Sequence, residues 1–259
     1  MKTEPLLIAV ASQKGGVGKS AFTVLVASIL HYRKGYRVGV VDCDAPQHSI
    51  ALMRERDVES VKKNDFLKVS LYRQHEQIQK LSYPVIKSNP ETAVEDLHRY
   101  MEEQDTDFDV VLFDLPGTLR SEGVIYTISS MDHIFVPLKA DNIVMQSSFE
   151  FAEVLEDELI SKHNCNLKGV HFFWNMIDKR ERKEVYEAWN LVIRKANLKL
   201  LDSRIPDSKR YNKELSPTQN GIFRSTLFPP DNRLEKGSGL SELMEEICRI
   251  TGLVEPCTI

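Results

Sequence analysis

The chain contains 259 residues, of which 42% are hydrophobic and 28% charged, and its formal net charge is −4. This length and balance indicate a globular chain large enough for one good-sized α/β domain, and two domains stay possible. The sequence shows no repeats or low-complexity stretches, and we expect a single domain over residues 1–259. The acidic net charge argues against a protein that binds nucleic acid over its whole surface.

Cysteine spacing and hydropathy restrict the class further. The four cysteines, Cys43, Cys165, Cys248 and Cys257, form no C-x-x-C pair. This spacing argues against zinc, iron–sulfur and disulfide frameworks and favours a reducing compartment. No apolar run approaches the roughly 20 residues needed to span a bilayer, and Glu4 interrupts the charge pattern of a signal peptide. We therefore expect a cytoplasmic protein with no membrane association.

A short apolar run, a glycine-rich stretch and a helical pattern follow one another at the start of the chain. Leu6–Ala11 predicts a buried strand, and Ala21–Tyr32, which contains no Gly or Pro, predicts a helix. Between them lies Ser12–Ser20, with the sequence SQKGGVGKS. Strand, glycine-rich loop and helix in this order predict a loop that binds the phosphates of a nucleotide.

The residue types of this loop suit phosphate binding. Its glycines let the backbone turn tightly and present N–H groups inward, where the positive end of the following helix also points. Lys19 is placed to reach the terminal phosphates, and the Ser20 hydroxyl is placed to ligate Mg²⁺. The predicted nucleotide-binding residues of the loop are Gly15, Gly16, Val17, Gly18, Lys19, Ser20 and Ala21.

A second predicted strand ends in two carboxylates. Arg37–Val41 (RVGVV) is followed by Asp42, Cys43 and Asp44. Ligands of open α/β sheets bind at the carboxyl ends of the strands, and phosphoryl transfer needs groups that orient water or hold the waters of a metal. We predict that Asp44 is the catalytic, water-orienting residue and that Asp42 is a metal-shell or structural carboxylate. A helix cap stays open as the alternative for either residue.

The next part of the chain carries structural patterns without recognisable chemistry. These patterns predict a helix over Ile50–Arg56, a short strand over Phe66–Leu71 and a helical piece over Glu76–Leu81. An amphipathic helix follows over Glu91–Glu103, with Ser88 or Asn89 as its expected cap.

The third predicted core strand, Phe108–Phe113, is strongly apolar and is followed by Asp114. A carboxylate in this position is expected to bond a water on Mg²⁺ or the Ser20 hydroxyl. Because parallel strands end at the same edge of a sheet, we expect Asp114 to lie beside the glycine-rich loop. Gly117 then supplies either a backbone N–H near the terminal phosphate or a simple turn.

The second half of the chain continues the alternation of strands and helices. Strands are predicted over Asp132–Leu138, Gly169–Trp174 and Leu198–Leu201, and helices over Asn142–Ile160 and Lys179–Ala196. This pattern predicts a doubly wound α/β fold with a mostly parallel sheet and helices on both faces.

The glycine-rich loop departs from the common phosphate-loop pattern, because Gln13 stands where a glycine is usual and Lys14 adds a second cation. The form Lys-Gly-Gly-x-Gly-Lys-Ser resembles the deviant Walker A box of the ParA/MinD family of P-loop ATPases. This resemblance implies ATP and Mg²⁺ as cofactors. It also implies a homodimer formed on ATP, in which Lys14 of each subunit acts in the active site of the other.

The resemblance extends to other motifs of the chain. The segment Asp42–Gln47 looks like the second acidic motif of the family with one additional residue, Ala45. By resemblance, Asn175 is expected to read the adenine edge, and Pro206 and Asp207 are expected to pack against the base. The side-chain amide of Asn175 can both donate and accept hydrogen bonds, which suits an adenine edge that does the same. The alternative is an asparagine that only forms a turn.

Three longer stretches, Gln13–Ala27, Val41–Ile50 and Phe223–Asp231, are similar to ParA-type conjugal transfer proteins of Bacteroides mobile elements. Membership would imply slow ATP hydrolysis, non-specific DNA binding by the dimer and stimulation by a ParB-like or transfer-machinery activator. The expected role is DNA partition or conjugal transfer, with association to the nucleoid when DNA is bound.

A locally basic region supplies candidates for the DNA contacts. Residues 160–236 contain sixteen Lys and Arg against nine Asp and Glu. Such an excess suits phosphate contacts, although a solvated helix face is the common alternative. The candidates are Lys179, Arg180, Arg182, Lys183, Arg204, Lys209 and Arg210.

Three other classes compete with this interpretation. A metallochaperone or a relative of nitrogenase reductase would need paired cysteines at the dimer axis, and none of the four cysteines is spaced for this. A MinD-like positioning ATPase would need a basic amphipathic C-terminal helix, whereas the predicted helix Leu240–Leu253 carries three glutamates against Arg249 alone. An ATP-dependent small-molecule synthetase of the same superfamily would need a second substrate pocket.

Overall fold

A computed structural model describes residues 4–117, 122–155, 165–215 and 221–253. Seven parallel strands of these residues form one sheet in the order β3-β2-β4-β1-β5-β6-β7. The strands are β1 Leu6–Val10, β2 Val38–Asp42, β3 Val85–Lys87, β4 Val110–Asp114, β5 His133–Leu138, β6 Gly169–Ile177 and β7 Lys199–Pro206. The prediction of a doubly wound parallel sheet is confirmed.

Helices connect the strands. They are α1 Lys19–Tyr32, α2 Ser49–Lys62, α3 Asp65–Ile78, α4 Ala93–Glu103, α5 Glu122–Ser129, α6 Asn142–Leu155, α7 Lys183–Lys195, α8 Asn232–Glu235 and α9 Leu240–Thr251, with a short 3-10 helix over Lys209–Asn212. The predicted helix Asn142–Ile160 continues beyond Leu155 into residues outside the described part of the chain, and Cys257 also lies outside it.

Two apolar layers sandwich the sheet because side chains of a strand point alternately to opposite faces. In β1, Ile8 and Val10 pack in one layer with α1, α2 and α9. Ala9 and the adjoining Ala11 pack in the other layer, with α4, α5, α6 and α7. β1 is thus covered on both sides, and its end is fixed at the centre of the sheet.

Two details between β2 and β4 differ from the sequence prediction. The strand predicted over Phe66–Leu71 is wrong, because this segment lies within α3. Asn64 starts that helix, since its side chain accepts hydrogen bonds from the backbone N–H groups of Phe66 (3.0 Å) and Leu67 (3.2 Å). The short strand β3, which extends the sheet beside β2, was not predicted.

The cap expected for α4 also differs. The helix begins at Ala93 with Thr92 before it, and no side chain caps its first turn. Instead, the Ser88 and Thr92 hydroxyls donate to the Asp96 carboxylate, at 2.5 and 2.8 Å. Ser88 therefore fixes the entry to α4 through a side chain of the first turn rather than through a backbone amide.

Candidate functional site

The glycine-rich loop joins the central strand β1 to α1. Gly16 and Gly18 adopt left-handed backbone conformations, with φ of +75° and +92°, which glycine accepts without strain. Gly18 is the N-cap of α1 and leaves its first turn without a side-chain cap. The N–H groups at this helix start are therefore available to an anion.

Asn175 holds the loop from the neighbouring part of the sheet. Its Nδ2 donates to the Val17 carbonyl at 2.8 Å, and its Oδ1 accepts from the Met176 N–H at 2.8 Å. A Cβ atom at Gly18 would lie 2.8 Å from the same Nδ2, so only glycine lets the amide approach. Asn175 lies inside β6, which continues to Ile177, rather than after the strand end. Its role at the adenine stays a prediction.

Asp114 lies at the carboxyl end of β4, opposite Val10 on one side and Asp42 on the other. Its carboxylate is fully buried, and neither oxygen has a hydrogen-bond partner among the described residues. Burial raises the pKa of Asp114 to about 7, and the nearby Ser20 hydroxyl and Lys19 ammonium offset part of this rise. The Ser20 hydroxyl lies near without the geometry of a hydrogen bond to the carboxylate.

This arrangement fits the predicted magnesium site. A buried carboxylate without partners is costly unless a cation or a donor reaches it. A hydrated Mg²⁺ held by the Ser20 hydroxyl would supply both. No group of three or more His, Cys, Asp or Glu within the described ranges is placed to hold a metal by itself, so the metal would depend on water and on the phosphates, as Mg²⁺ commonly does.

The two carboxylates after β2 have different environments. Asp42 is fully buried, and its Oδ2 accepts from the backbone N–H groups of Ile50 (3.0 Å) and Ala51 (2.9 Å) at the start of α2. These contacts favour the structural alternative for Asp42 over the catalytic role. Asp44 is half-buried and lines the cavity beside the glycine-rich loop. Its water-orienting role stays a prediction.

A cavity of about 530 Å³ opens above the loop, within the usual range for small-molecule sites. Its lining includes Lys19, Ser20 and Asp44, which follow β1 and β2, and Asn175, Pro206 and Asp207, which belong to β6 and the end of β7. The predicted phosphate and adenine residues thus share one cavity. Lys14 does not line it.

Several residues of the cavity were not predicted from the sequence: Met53, Arg56, Ser208, Tyr211, Asn212, Glu214 and Arg224. Tyr211 packs edge-on against Phe223, with ring centroids 4.9 Å apart, and donates to the Ser238 carbonyl at 2.9 Å. Arg224 falls in one of the stretches that carry the resemblance, but nothing in the sequence indicated that the chain after β7 crosses back over α1.

Two larger clefts, of about 820 and 1060 Å³, contain no residue of the glycine-rich loop. The smaller of these lies between β7 and α9 and is lined by Lys179 and Arg204 together with Glu242, Glu245 and Glu246. Carboxylates in this cleft weaken the attraction of both cations for DNA phosphates.

The other DNA candidates divide into paired and unpaired cations. Arg180 forms two hydrogen bonds to Asp178, at 3.0 and 2.7 Å. Arg210 donates to the Leu234 and Lys236 carbonyls, at 2.7 and 2.9 Å, so its guanidinium stabilises the fold by binding the backbone. The exposed candidates that form no ion pair with any described residue are Lys179, Arg182, Lys183 and Lys209. They follow the ends of β6 and β7, at the same sheet edge as the cavity, and their contact with DNA stays a prediction.

No helix in the described part of the chain combines the length and the apolar character that crossing a membrane requires.

Comparisons with known proteins agree on the fold. The model of one protein family, described as ATPase MipZ, matches residues 6–195. A comparison with curated protein sequences gives no match. A plasmid partition protein from Borrelia burgdorferi is similar in structure, with a TM-score of 0.58 and 16% identity over 95% of this chain and 100% of that one.

Two further solved structures have the same fold. The MinC:MinD cell division complex of Aquifex aeolicus gives a TM-score of 0.60 and 16% identity, covering 98% of each chain. Cobyrinic acid a,c-diamide synthase from Mycobacterium smegmatis, solved with an ATP analogue and magnesium, gives 0.60 and 20% identity, covering 95% of this chain and 94% of that one. Since this fold occurs in partition, cell-division and synthetase proteins, it does not by itself select among them.

Proposed function

The chain belongs to the MipZ family of ATPases, and we propose that it is a ParA-type ATPase that uses ATP with Mg²⁺. In this proposal two chains dimerise on ATP, the dimer binds DNA without sequence preference, and hydrolysis stays slow until an activator stimulates it. The similarity to the conjugal transfer protein TraA of Bacteroides mobile elements suggests partition or conjugal transfer as its task. The activator would be ParB-like or part of a transfer machinery.

The Asp114 carboxylate, which has no hydrogen-bond partner among the described residues and lies beside Ser20 and Lys19, is the observation that carries the ATPase proposal. Lys19 belongs to the phosphate loop, and its Nζ lies close to Gly117, since a Cβ atom added to that glycine would be 3.8 Å from the Nζ. A triphosphate held on the N-terminus of α1 would meet this ammonium, and Mg²⁺ would bring its waters to Asp114. Such fixed charges lower the barrier to phosphoryl transfer by positioning and by electrostatic stabilisation.

Lys14 supports the dimer part of the proposal. It lies in the same loop as Lys19, yet it does not line the cavity of its own subunit. A second cation in the loop that does not line the cavity of its own subunit would be available to the nucleotide of a facing subunit. Dimerisation through bound ATP would give this lysine a partner.

The DNA part of the proposal is tested by retention of mixed-sequence DNA with and without nucleotide. We expect that a Mg²⁺-loaded, non-hydrolysable ATP analogue is required for retention and that retention weakens steeply from 50 to 200 mM salt, because phosphate contacts release counterions. Replacing Arg182 and Lys183 together by Ala should lower the salt dependence.

Four outcomes would contradict the DNA proposal. Retention that does not depend on nucleotide, or that does not respond to salt, would exclude ATP-controlled binding to the DNA backbone. Nucleotide-dependent binding to anionic vesicles without binding to DNA would favour the MinD-like alternative. ATP turnover that needs a small-molecule acceptor and ignores DNA would favour a synthetase.

A further inference from the structure

Three charged side chains form a cluster on the part of the nucleotide cavity that α2 and the chain after the 3-10 helix line. Glu214, which follows the 3-10 helix, accepts from Arg224 at one oxygen and lies 3.3 Å from the Arg56 guanidinium at the other. Arg56 comes from α2, and all three residues line the cavity. The cluster therefore joins α2 to the chain segment that crosses over the start of α1.

The backbone fixes this cluster in place. The N–H groups of Phe223 and Arg224 both donate to the Lys213 carbonyl at 3.0 Å, so the two parts of the segment run side by side. The residue after Arg224, Ser225, donates to the buried Asp57 carboxylate of α2 at 3.0 Å. Glu214 is thus held between two anchored elements rather than on a free loop.

Exposure distinguishes the three members. The Arg224 side chain is 19% exposed and its Nε is buried, whereas the Glu214 side chain is 32% exposed. Arg56 is 63% exposed and projects toward solvent. Each carboxylate oxygen of Glu214 has a guanidinium on one side and a second lone pair left, because a carboxylate offers about four acceptor sites. Glu214 is the member that can still accept a hydrogen bond from a ligand in the cavity.

We propose that Glu214 accepts hydrogen bonds from the ribose hydroxyls of the bound nucleotide and that Arg56 and Arg224 position its carboxylate for this contact. The inference rests on the proposed ATP site. A nucleotide with its phosphates at Lys19 and its base at Pro206 places the ribose between these ends, above Ala21 and Phe22 of α1, which line the same cavity.

The charges of the cluster suit this role. A lone carboxylate near a triphosphate would repel it, but two guanidinium groups give the cluster a net positive charge. The other carboxylates that line the cavity lie toward its ends, Asp44 after β2 and Asp207 after β7. An acidic side chain that accepts from a ribose hydroxyl also selects nucleotides in dinucleotide-binding α/β folds.

The test compares the dissociation constants of ATP, 2′-deoxy-ATP and 3′-deoxy-ATP, measured by calorimetry with Mg²⁺. We expect the wild-type chain to bind at least one deoxy analogue about 10-fold more weakly than ATP, since a hydrogen bond to a charged acceptor is lost. In Glu214→Ala this ratio should fall close to one, and Glu214→Gln, which keeps one acceptor oxygen, should give an intermediate ratio.

Glu55→Ala is the matched control, because Glu55 lies one residue before Arg56, pairs with Lys87 at 3.1 Å and does not line the cavity. This control should keep the wild-type ratio. Equal binding of ATP and both deoxy analogues by the wild-type chain would overturn the ribose contact while leaving the ATP site intact. An unchanged ratio in Glu214→Ala, or in Glu214→Gln if the alanine variant does not fold, would overturn it as well. Absence of ATP binding by the wild-type chain would overturn the proposed function together with this inference.

Discussion

Asp114 shows how one residue can favour the binding of a ligand and at the same time lower the stability of the ligand-free protein. The fold buries its carboxylate completely and gives neither oxygen a partner among the described residues. A buried charged group that gains partners only when a ligand binds lowers the stability of the ligand-free protein. The neighbouring Asp42 is equally buried but is satisfied by the first turn of α2, so the two carboxylates have different consequences for stability.

Asp114→Asn is expected to stabilise the nucleotide-free protein in EDTA. The unfolded state of an Asp with a raised pKa loses its proton at lower pH than the folded state, so wild-type stability falls as the pH rises from about 4 through about 7. One pKa unit corresponds to about 1.4 kcal/mol, so the penalty above pH 7 is on the order of 4 kcal/mol. Since the Asn amide is also buried, we expect a net gain of about 1–3 kcal/mol at pH 8.

Urea unfolding at pH 8 and pH 5 measures this effect, and the gain should shrink at pH 5, where the wild-type carboxyl is protonated. The same substitution should abolish the extra stability that Mg²⁺ with ATP gives to the wild type. A variant that is less stable than the wild type at pH 8 would show that the carboxylate has a partner in solution.

Single residues also show what the sequence could predict. Gly18, Lys19, Ser20 and Asp114 were recognisable because each lies at a fixed place in a short motif, and the structure brings them to one sheet edge. Glu214 was not recognisable, because its place at the cavity depends on contacts with α2, more than 150 residues earlier in the chain. Local patterns contain no information on such a return of the chain.

At the level of elements, the segment before α8 is attached to α2 through one buried carboxylate. Asp57 accepts from the Ser225 hydroxyl (3.0 Å), the Thr226 N–H (2.7 Å) and the Thr226 hydroxyl (2.8 Å). Arg54, one turn earlier, donates to the Thr226 hydroxyl and to the Thr226 carbonyl. The stretch Phe223–Asp231, which is part of the family resemblance, therefore contains residues that attach this segment to α2. Both elements line the cavity.

Asp57→Ala is expected to lower the free energy of unfolding by about 3 kcal/mol, because three buried donors lose their acceptor. Urea unfolding at pH 7 measures the loss. Asp65→Ala is a suitable control, since Asp65 lies on the exposed face of α3 and pairs only with Lys68, also exposed, and it should change stability little. Equal effects of the two substitutions would contradict the role of Asp57 in attaching the segment before α8 to α2.

Elements were predicted well where burial on both faces made the pattern strong. β4, with its uninterrupted apolar run, was found within two residues, since strands covered on both sides need apolar residues throughout. α3 was mistaken for a strand because Phe66, Val69 and Tyr72 are apolar but exposed, so its sequence does not show the apolar stripe of a packed helix. β3 has only three residues, too few for any periodicity.

At the level of the whole molecule, several exposed cations lie at the same edge of the sheet as the cavity. The glycine-rich loop follows β1, the exposed Lys179, Arg182 and Lys183 follow β6, and Lys209 follows β7. A second subunit or a DNA backbone that approaches this edge would meet the nucleotide and the basic loops together. Such placement would let ATP control both associations through one surface.

In the proposed dimer, Lys14 is the residue that would separate nucleotide binding from dimerisation. In the proposed dimer each Lys14 contacts the nucleotide of the other subunit, so Lys14→Ala removes two equivalent contacts. Because a charge-assisted hydrogen bond contributes about 1.5–3 kcal/mol, we expect the dimer to weaken about 100-fold or more. ATP affinity of the single subunit should stay within about 3-fold of the wild type, since Lys14 does not line its own cavity.

Light scattering coupled to size exclusion, with Mg²⁺ and a non-hydrolysable ATP analogue, measures the dimer, and calorimetry at low protein concentration measures nucleotide affinity. Lys19→Ala should lose both properties, because its ammonium lies at the phosphate end of the cavity. Lys63→Ala, an exposed lysine that pairs only with Glu59, should lose neither. A Lys14→Ala variant that still dimerises like the wild type would show that the second lysine of the loop acts within its own subunit, and the shared site would then have to be abandoned.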